Sequence, residues 1–194
     1  MLPLITPSTP LHTCRCKTPF GMLRLGCSDD DLLFCEFERS SHRQAVSDRI
    51  LQFTGRAFRE VPVKSDGILH ETARQLAEYF DGRRRHFDLP LGFIGTDFER
   101  SVWEAILDIP FGHLDTCTEL ATSLGRPQSA SAVGRAAWQS PFSVIVPLHR
   151  LLGHYWRPEE REGEWRTFRT LLTLEGARPA CRPDDAQDLL DIFL

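Results

Sequence analysis

Lysine is nearly absent from this chain: of 23 basic side chains in 194 residues, only Lys17 and Lys64 are lysines. Almost all positive charge is therefore carried by arginine, whose planar guanidinium suits phosphate and carboxylate groups. Genome composition produces the same bias and is the simpler explanation. The formal net charge of −4 excludes an overall basic field that would draw the chain onto nucleic acid, although it leaves room for a local basic patch.

Long apolar runs are also missing. No segment approaches the roughly 18 residues that a membrane-spanning helix needs, and three prolines interrupt the first ten residues, where a signal peptide would be apolar. We therefore expect a soluble, cytoplasmic protein with no membrane partner. With 41% hydrophobic residues, the 194-residue chain is large enough for one domain of ordinary size or two small ones.

The six cysteines follow no regular framework, and a cytoplasmic location keeps them as reduced thiols. Cys14, Cys16, Cys27 and His86 are the combination to consider as a zinc site, but their spacing matches no established motif. We therefore predict neither a metal nor a cofactor.

The first half of the chain predicts a small α/β lobe. After an irregular lead over residues 1–16, the alternating pattern from Phe20 to Phe37 predicts a β-hairpin that turns at "DDD". Helical spacing follows over residues 40–54 and 69–82. A linker to the second half is expected near residues 88–95.

The second half is mostly helical. A capping box opens a helix over residues 96–110, and two shorter helices over residues 116–125 and 126–140 meet at a glycine-containing turn. Such a pair predicts a helix-turn-helix, whose second helix would be the recognition helix. The run "FSVIVP" at residues 142–147 predicts a buried strand, and residues 163–176 predict a last helix.

One short motif stands out in this half: Leu148 lies between Pro147 and the pair His149–Arg150. This motif occurs in "VIVPLHRLLG", and it is accompanied by "EYFDGRRRHFDLPL", "FERSVWEAILDIPFG", "ELATSLGRPQSASAVGRAA" and "LLTLEGA". Together these segments resemble the O6-alkylguanine-DNA alkyltransferase family over roughly residues 18–177.

The resemblance implies an α/β plus α fold. Residues 1–90 would form a small ribonuclease-H-like α/β lobe, and residues 91–178 a helical, winged helix-turn-helix DNA-binding domain. An acidic tail, residues 179–194, follows. The resemblance also implies DNA as a partner, bound through the minor groove with the damaged guanine flipped into a pocket.

In the family, a cysteine between the proline and the histidine attacks the alkyl carbon. The histidine takes the thiol proton through a water, and a glutamate orients the histidine. Here Leu148 occupies the nucleophile position, while His149 and Glu175 keep the other two. Because leucine has neither a lone pair nor an ionisable proton, we predict that no catalytic residue is functional.

Other family positions differ as well. Ser131 replaces the arginine that enters the base stack, and Cys117 replaces a tyrosine that contacts phosphate. We therefore expect Cys117 to face DNA phosphates. Arg135 is either a substitute for the lost arginine or a solvent-facing residue. Trp138 either stacks on a base or fills volume in the pocket.

The resemblance thus yields two sets of candidate residues. The expected DNA-binding residues are Cys117, Arg126, Ser131, Arg135, Trp138 and Arg150. The expected pocket residues are Ser140, where the family has an asparagine, and Arg161, Glu162 and Gly163, in a loop of which only the glycine is retained.

Three functions remain open at this point. The first is a non-catalytic alkyltransferase-like protein that binds alkylated-guanine DNA without accepting the alkyl group. The second is a regulatory or protein-interaction module that kept the fold and binds a protein partner, with little DNA binding. The third is alkyl transfer to another nucleophile.

Overall fold

A computed structural model describes residues 9–40, 42–152 and 162–177. The chain divides between Ile94 and Gly95 into two compact units. The acidic tail at residues 179–194 lies outside the described residues. No helix in the described part of the chain is both long enough and apolar enough to cross a lipid bilayer.

The first unit is built on a four-stranded sheet with the order β3-β2-β1-β4. Its strands are β1 (Leu11–Thr18), β2 (Gly21–Cys27), β3 (Leu32–Phe37) and β4 (Phe58–Glu60). Strands β1, β2 and β3 pair antiparallel, and β4 runs parallel to β1. The hairpin from Phe20 to Phe37 is confirmed.

The irregular lead predicted over residues 1–16 is wrong from Leu11 onward, because β1 begins there. This strand reads "LHTCRCKT". Its many polar residues and its two cysteines hide the alternation of apolar and polar residues by which a strand is recognised. Its neighbours β2 and β4 supply the hydrogen-bonding partners that make it a strand.

Two helices cover opposite faces of this sheet. Helix α1 spans Arg43–Thr54, and helix α2 spans Gly67–Phe80 after a 3₁₀ turn at Val63–Ser65. Leu11 packs in a cluster that includes two residues of α1. The next residue, His12, bonds to Asp66, the N-cap of α2. Since successive strand residues point to opposite faces, the sheet lies between the two helices.

In the part of the second unit that the structure describes there are four further helices. They are α3 (Asp97–Leu107), α4 (Cys117–Ser123), α5 (Ala130–Trp138) and α6 (Glu162–Glu175), with 3₁₀ turns at Pro127–Ser129 and Leu148–Arg150. Two short parallel strands, β5 (Asp115–Thr116) and β6 (Leu151–Leu152), pair with each other.

Helices α4 and α5 form the predicted helix-turn-helix. Gly125 lies between them with φ +70°, a left-handed conformation that glycine adopts without a Cβ clash. Trp103 of α3 is fully buried, and its indole N–H donates to the Ala136 carbonyl of α5 at 2.7 Å. This bond and the surrounding core fix α5 on α3.

The buried strand predicted at residues 142–147 is wrong, although the burial is right. Phe142, Val144, Ile145 and Val146 are all buried, but the chain turns over residues 143–146. Val144 has φ +70°, which interrupts an extended backbone. A run of β-branched residues indicates burial, whereas a strand also needs a neighbouring strand, and none pairs with this segment in the described part of the chain.

Candidate functional site

The motif Pro147-Leu148-His149-Arg150 forms the turn that leads into β6. His149 and Arg150 are buried, at 1% and 6% exposure, whereas Leu148 is half-buried. The 3₁₀ turn closes with a bond from the Arg150 N–H to the Pro147 carbonyl at 2.9 Å. It thereby directs His149 and Arg150 toward the end of α6.

The Glu175 carboxylate, at the end of α6, accepts four hydrogen bonds. Arg150 binds it with two nitrogens, Nη2 to Oε1 at 2.8 Å and Nε to Oε2 at 2.9 Å. His149 Nε2 donates to Oε1 at 2.8 Å, and the Gly112 N–H donates to Oε2 at 3.0 Å. A buried carboxylate is stable only when hydrogen-bond donors satisfy its oxygens, and each oxygen of Glu175 accepts two hydrogen bonds.

Arg150 has a second partner, since its Nη1 donates to the Ile109 carbonyl at 2.6 Å. Its guanidinium also lies 5.7 Å from the centre of the Phe111 ring. The segment after α3, the 3₁₀ turn and the end of α6 therefore meet at one buried ion pair. Sequence reasoning missed the part played by Gly112, for which the Pro-Phe-Gly turn after α3 was the available signal.

Burial lowers the pKa of His149 below its ordinary value of 6.5, against the raising effect of Glu175. The imidazole is therefore neutral near pH 7, and it donates its Nε2 proton to Glu175. A neutral histidine held by a carboxylate is the arrangement that a general base requires.

A small apolar cavity of about 30 Å³ lies beside the motif. It is lined by Cys117, Gly134, Ala137, Trp138, Leu148, Leu151 and Phe168. A water molecule needs a cavity of roughly 10–15 Å³, so this cavity has room for water and is too small for a purine base. The Trp138 and Phe168 rings stand edge to face with centroids 6.4 Å apart. Trp138 thus lies at the cavity beside Leu148, and stacking on a base and filling of pocket volume both stay predictions for it.

Two predicted DNA-binding residues lie elsewhere than expected. Arg150 is buried in the ion pair with Glu175, so its guanidinium is not presented to a DNA backbone. Cys117 is only 7% exposed and lines the same cavity as Leu148, so it does not face phosphates. The start of α4 was predicted correctly from the sequence. The direction in which the Cys117 side chain points depends on how α4 packs against the rest of the unit.

The exposed face of the helix-turn-helix carries the remaining candidates. Arg126, Ser131 and Arg135 are all exposed. The Arg126 guanidinium lies 5.3 Å from the centre of the Phe98 ring, which holds the charge beside the turn. Arg135 lies one helical turn after Ser131, and residues four apart share a face.

The pocket candidates are only partly covered by the described residues. Ser140 is buried, and its hydroxyl accepts the Phe142 N–H at 3.3 Å. Gly163 is exposed on the first turn of α6, Glu162 begins that helix, and Arg161 lies outside the described residues.

The zinc grouping considered from the sequence is not assembled. Within the described residues, Cys27 groups with His12 and Asp66, and their candidate ligand atoms lie within 4.8 Å of one another. Asp66 uses one oxygen to cap α2 through the Ile68 and Leu69 N–H groups, and the other to bind His12 Nδ1 at 2.7 Å. These bonds give the cluster a structural role as a helix cap.

Comparison with known proteins gives consistent results. Residues 13–93 match the ribonuclease-like domain, and residues 97–177 the DNA-binding domain, of 6-O-methylguanine DNA methyltransferase. A methylated-DNA–protein-cysteine methyltransferase of Methanosarcina barkeri is 42% identical over 97 residues, which are 48% of this chain and 61% of that protein. Its namesake from Methanosarcina acetivorans is 32% identical over 137 residues, covering 71% of this chain and 80% of that protein.

Among solved structures, Mycobacterium tuberculosis OGT in complex with DNA superposes with a TM-score of 0.67 at 31% identity. The match covers 84% of this chain and 92% of that one. Both units therefore have counterparts in proteins of one family.

Glu175→Gln should lower the free energy of unfolding by about 3–5 kcal/mol, because it removes the charge that compensates buried Arg150. Urea denaturation measures the change. Glu104→Gln, at an exposed position of α3, is the matched control and should leave stability nearly unchanged. Equal effects of the two substitutions would show that the ion pair does not hold this region together.

His149 should make stability depend on pH. Its folded pKa lies below the unfolded value of about 6.5, so protons bind the unfolded chain more readily. The contribution of neutral His149 is fully present above about pH 6.5 and is lost as the pH falls below it. The stability difference between wild type and His149→Gln should therefore shrink from about pH 7.5 to pH 5. A pH-independent difference in urea denaturation would contradict this assignment.

Proposed function

Because this chain belongs to the O6-alkylguanine-DNA alkyltransferase family, we propose that it binds duplex DNA containing alkylated guanine without taking up the alkyl group. The observation that carries the proposal is Leu148, which stands between Pro147 and His149 where the family resemblance requires the acceptor cysteine. Transfer needs a sulfur lone pair to form the new S–C bond as the O–C bond breaks. A leucine side chain supplies no such electron pair.

Retention of His149 and Glu175 does not by itself restore catalysis. A neutral imidazole acts as a base only if a proton donor of suitable acidity lies within reach, directly or through one water. In this chain the pair is also bonded to Arg150 and Gly112, which gives it a structural role independent of any nucleophile. We infer that the pair survives because it holds α6 to the rest of the unit.

Cys117 is the thiol that lines the cavity beside Leu148. Burial and, to a lesser degree, the Asp115 carboxylate raise the pKa of this thiol to about 11. The reactive form of cysteine is the thiolate, which would be scarce at neutral pH. Cys117 is therefore a poor replacement for the acceptor, and we assign it to packing.

DNA binding is supported by the helix-turn-helix. Its exposed face carries Arg126 and Arg135, while Trp103 fixes α5 from behind. With few cations on this face, each phosphate contact contributes a large share of the affinity, and added salt should weaken binding steeply.

The small cavity favours a second candidate, a protein-interaction module with little DNA binding. Trp138, Leu148 and Phe168 leave about 30 Å³ among the described residues, so a flipped guanine enters only if side chains move. Lesion recognition therefore predicts movement of Trp138, whereas an interaction module predicts that the cavity stays closed.

Alkyl transfer and lesion binding are tested together. After incubation with an O6-methylguanine duplex, intact-mass spectrometry should show no added methyl mass on wild type or on Cys117→Ser, with an active family member as positive control. Fluorescence anisotropy should show tighter binding of the lesion duplex than of the unmodified one. A stoichiometric adduct would refute the absence of transfer, and equal affinity or none for both duplexes would refute lesion binding and favour the interaction module.

Arg135→Ala should weaken DNA binding and reduce the slope of log affinity against log salt by about 1, the loss of one phosphate contact. Arg100→Ala is the control, since Arg100 is an exposed arginine of α3 paired with Asp97. Anisotropy titrations at several salt concentrations measure both slopes. An unchanged slope for Arg135→Ala would remove this residue from the interface.

A further inference from the structure

A polar pocket of about 270 Å³ lies in the first unit, far in sequence from the Leu148 motif. It is lined by Thr13, Cys14, Arg15, Arg24, Glu38, Arg43, Gln44 and Glu60. The walls come from β1, β2, β4, the residue Glu38 just after β3, and the first turn of α1. No part of the family resemblance gives this pocket a role.

The pocket contains an unfavourable pairing of like charges. Arg15 of β1 lies directly opposite Arg24 of β2, and Arg24 lies directly opposite Glu36 of β3. Residues at opposed positions share a face of the sheet, and like charges there destabilise the pair. Residues that destabilise the fold locally are typical of functional sites, where they are retained for another role.

The carboxylates at the rim compensate only one of the three arginines. Arg15 Nε lies 3.3 Å from Glu38 Oε1 and 3.8 Å from Glu60 Oε1. Arg24 contacts the Phe34 ring at 5.8 Å, and neither Arg24 nor Arg43 forms an ion pair with a carboxylate of the described residues. Two guanidinium groups therefore line the pocket without a contact ion pair to a carboxylate of the described residues.

A buried acid adjoins these two arginines. Glu36 is only 3% exposed, and its side chain has no hydrogen-bond partner within the described part of the chain. Burial raises its pKa to about 7, although Arg24 and Arg43 act in the opposite direction. The ionised Glu36 carboxylate adds negative charge beside the two guanidinium groups, and the protonated carboxyl group donates one hydrogen bond.

We propose that this pocket binds a small oxyanion, a phosphate or carboxylate group, held by Arg24 and Arg43. Guanidinium groups bind such oxyanions with paired N–H donors. A volume of about 270 Å³ lies near the lower limit of small-molecule sites, which favours a small ligand. Glu38 and Glu60 at the rim repel a polyanion, so DNA does not fit this site.

The test is calorimetric titration of the full chain with inorganic phosphate and, separately, malonate, against chloride at matched ionic strength and pH 8. Wild type should bind at least one probe saturably, and comparison of the two distinguishes phosphate from carboxylate recognition. Arg24→Gln and Arg43→Gln should each weaken binding about tenfold. Glu36→Gln should strengthen it, because the substitution removes negative charge beside the anion.

Arg59→Gln is the matched control, since Arg59 is an exposed residue of β4 that does not line the pocket, and it should bind as wild type does. Thermal unfolding confirms that each variant is folded. Absence of saturable binding by both probes, equal affinity in all variants, or displacement of bound phosphate by duplex DNA would each overturn the proposal.

Discussion

The second unit depends on one buried carboxylate. Glu175 receives four hydrogen bonds from two chain segments that are distant from it in sequence. Burial of the Glu175 carboxylate without a partner would cost free energy. The Arg150 guanidinium offsets this desolvation cost because it binds the carboxylate through two parallel hydrogen bonds. Removing any one donor leaves the others to satisfy a buried charge. The end of α6, the motif turn and the segment after α3 therefore form one structural element.

Under the proposed function, this constraint explains why His149 is retained beside Leu148. His149 is oriented by a carboxylate that the fold requires for a different reason, the burial of Arg150. Leu148, by contrast, is half-buried and lines a small cavity. Substitution at this position alters chemistry at little structural cost. The helix-turn-helix is separately secured by Trp103 and the α3–α5 core, so a DNA-binding surface can persist without alkyl transfer.

Much of the architecture could be predicted from local signals. The hairpin, the capping box of α3 and the glycine turn of the helix-turn-helix each depend on residues that are adjacent or nearly so in sequence. The errors arose where distant partners decide. Strand β1 exists because β2 and β4 flank it, whereas residues 143–146 form turns and pair with no strand among the described residues. At the site, Arg150 was placed on DNA because its partner lies 25 residues away, at the end of another helix.

The sequence by itself determined that a hydrocarbon side chain follows Pro147, and that the two halves carry the segments of one family. Both properties depend only on the identity and order of residues. Only the tertiary structure decided that Cys117 and Trp138 line the same cavity. The same holds for the polar pocket formed around Arg24 and Arg43. Periodicity defines the faces of a helix or strand, but which face meets which neighbour is set by the packing of the whole core.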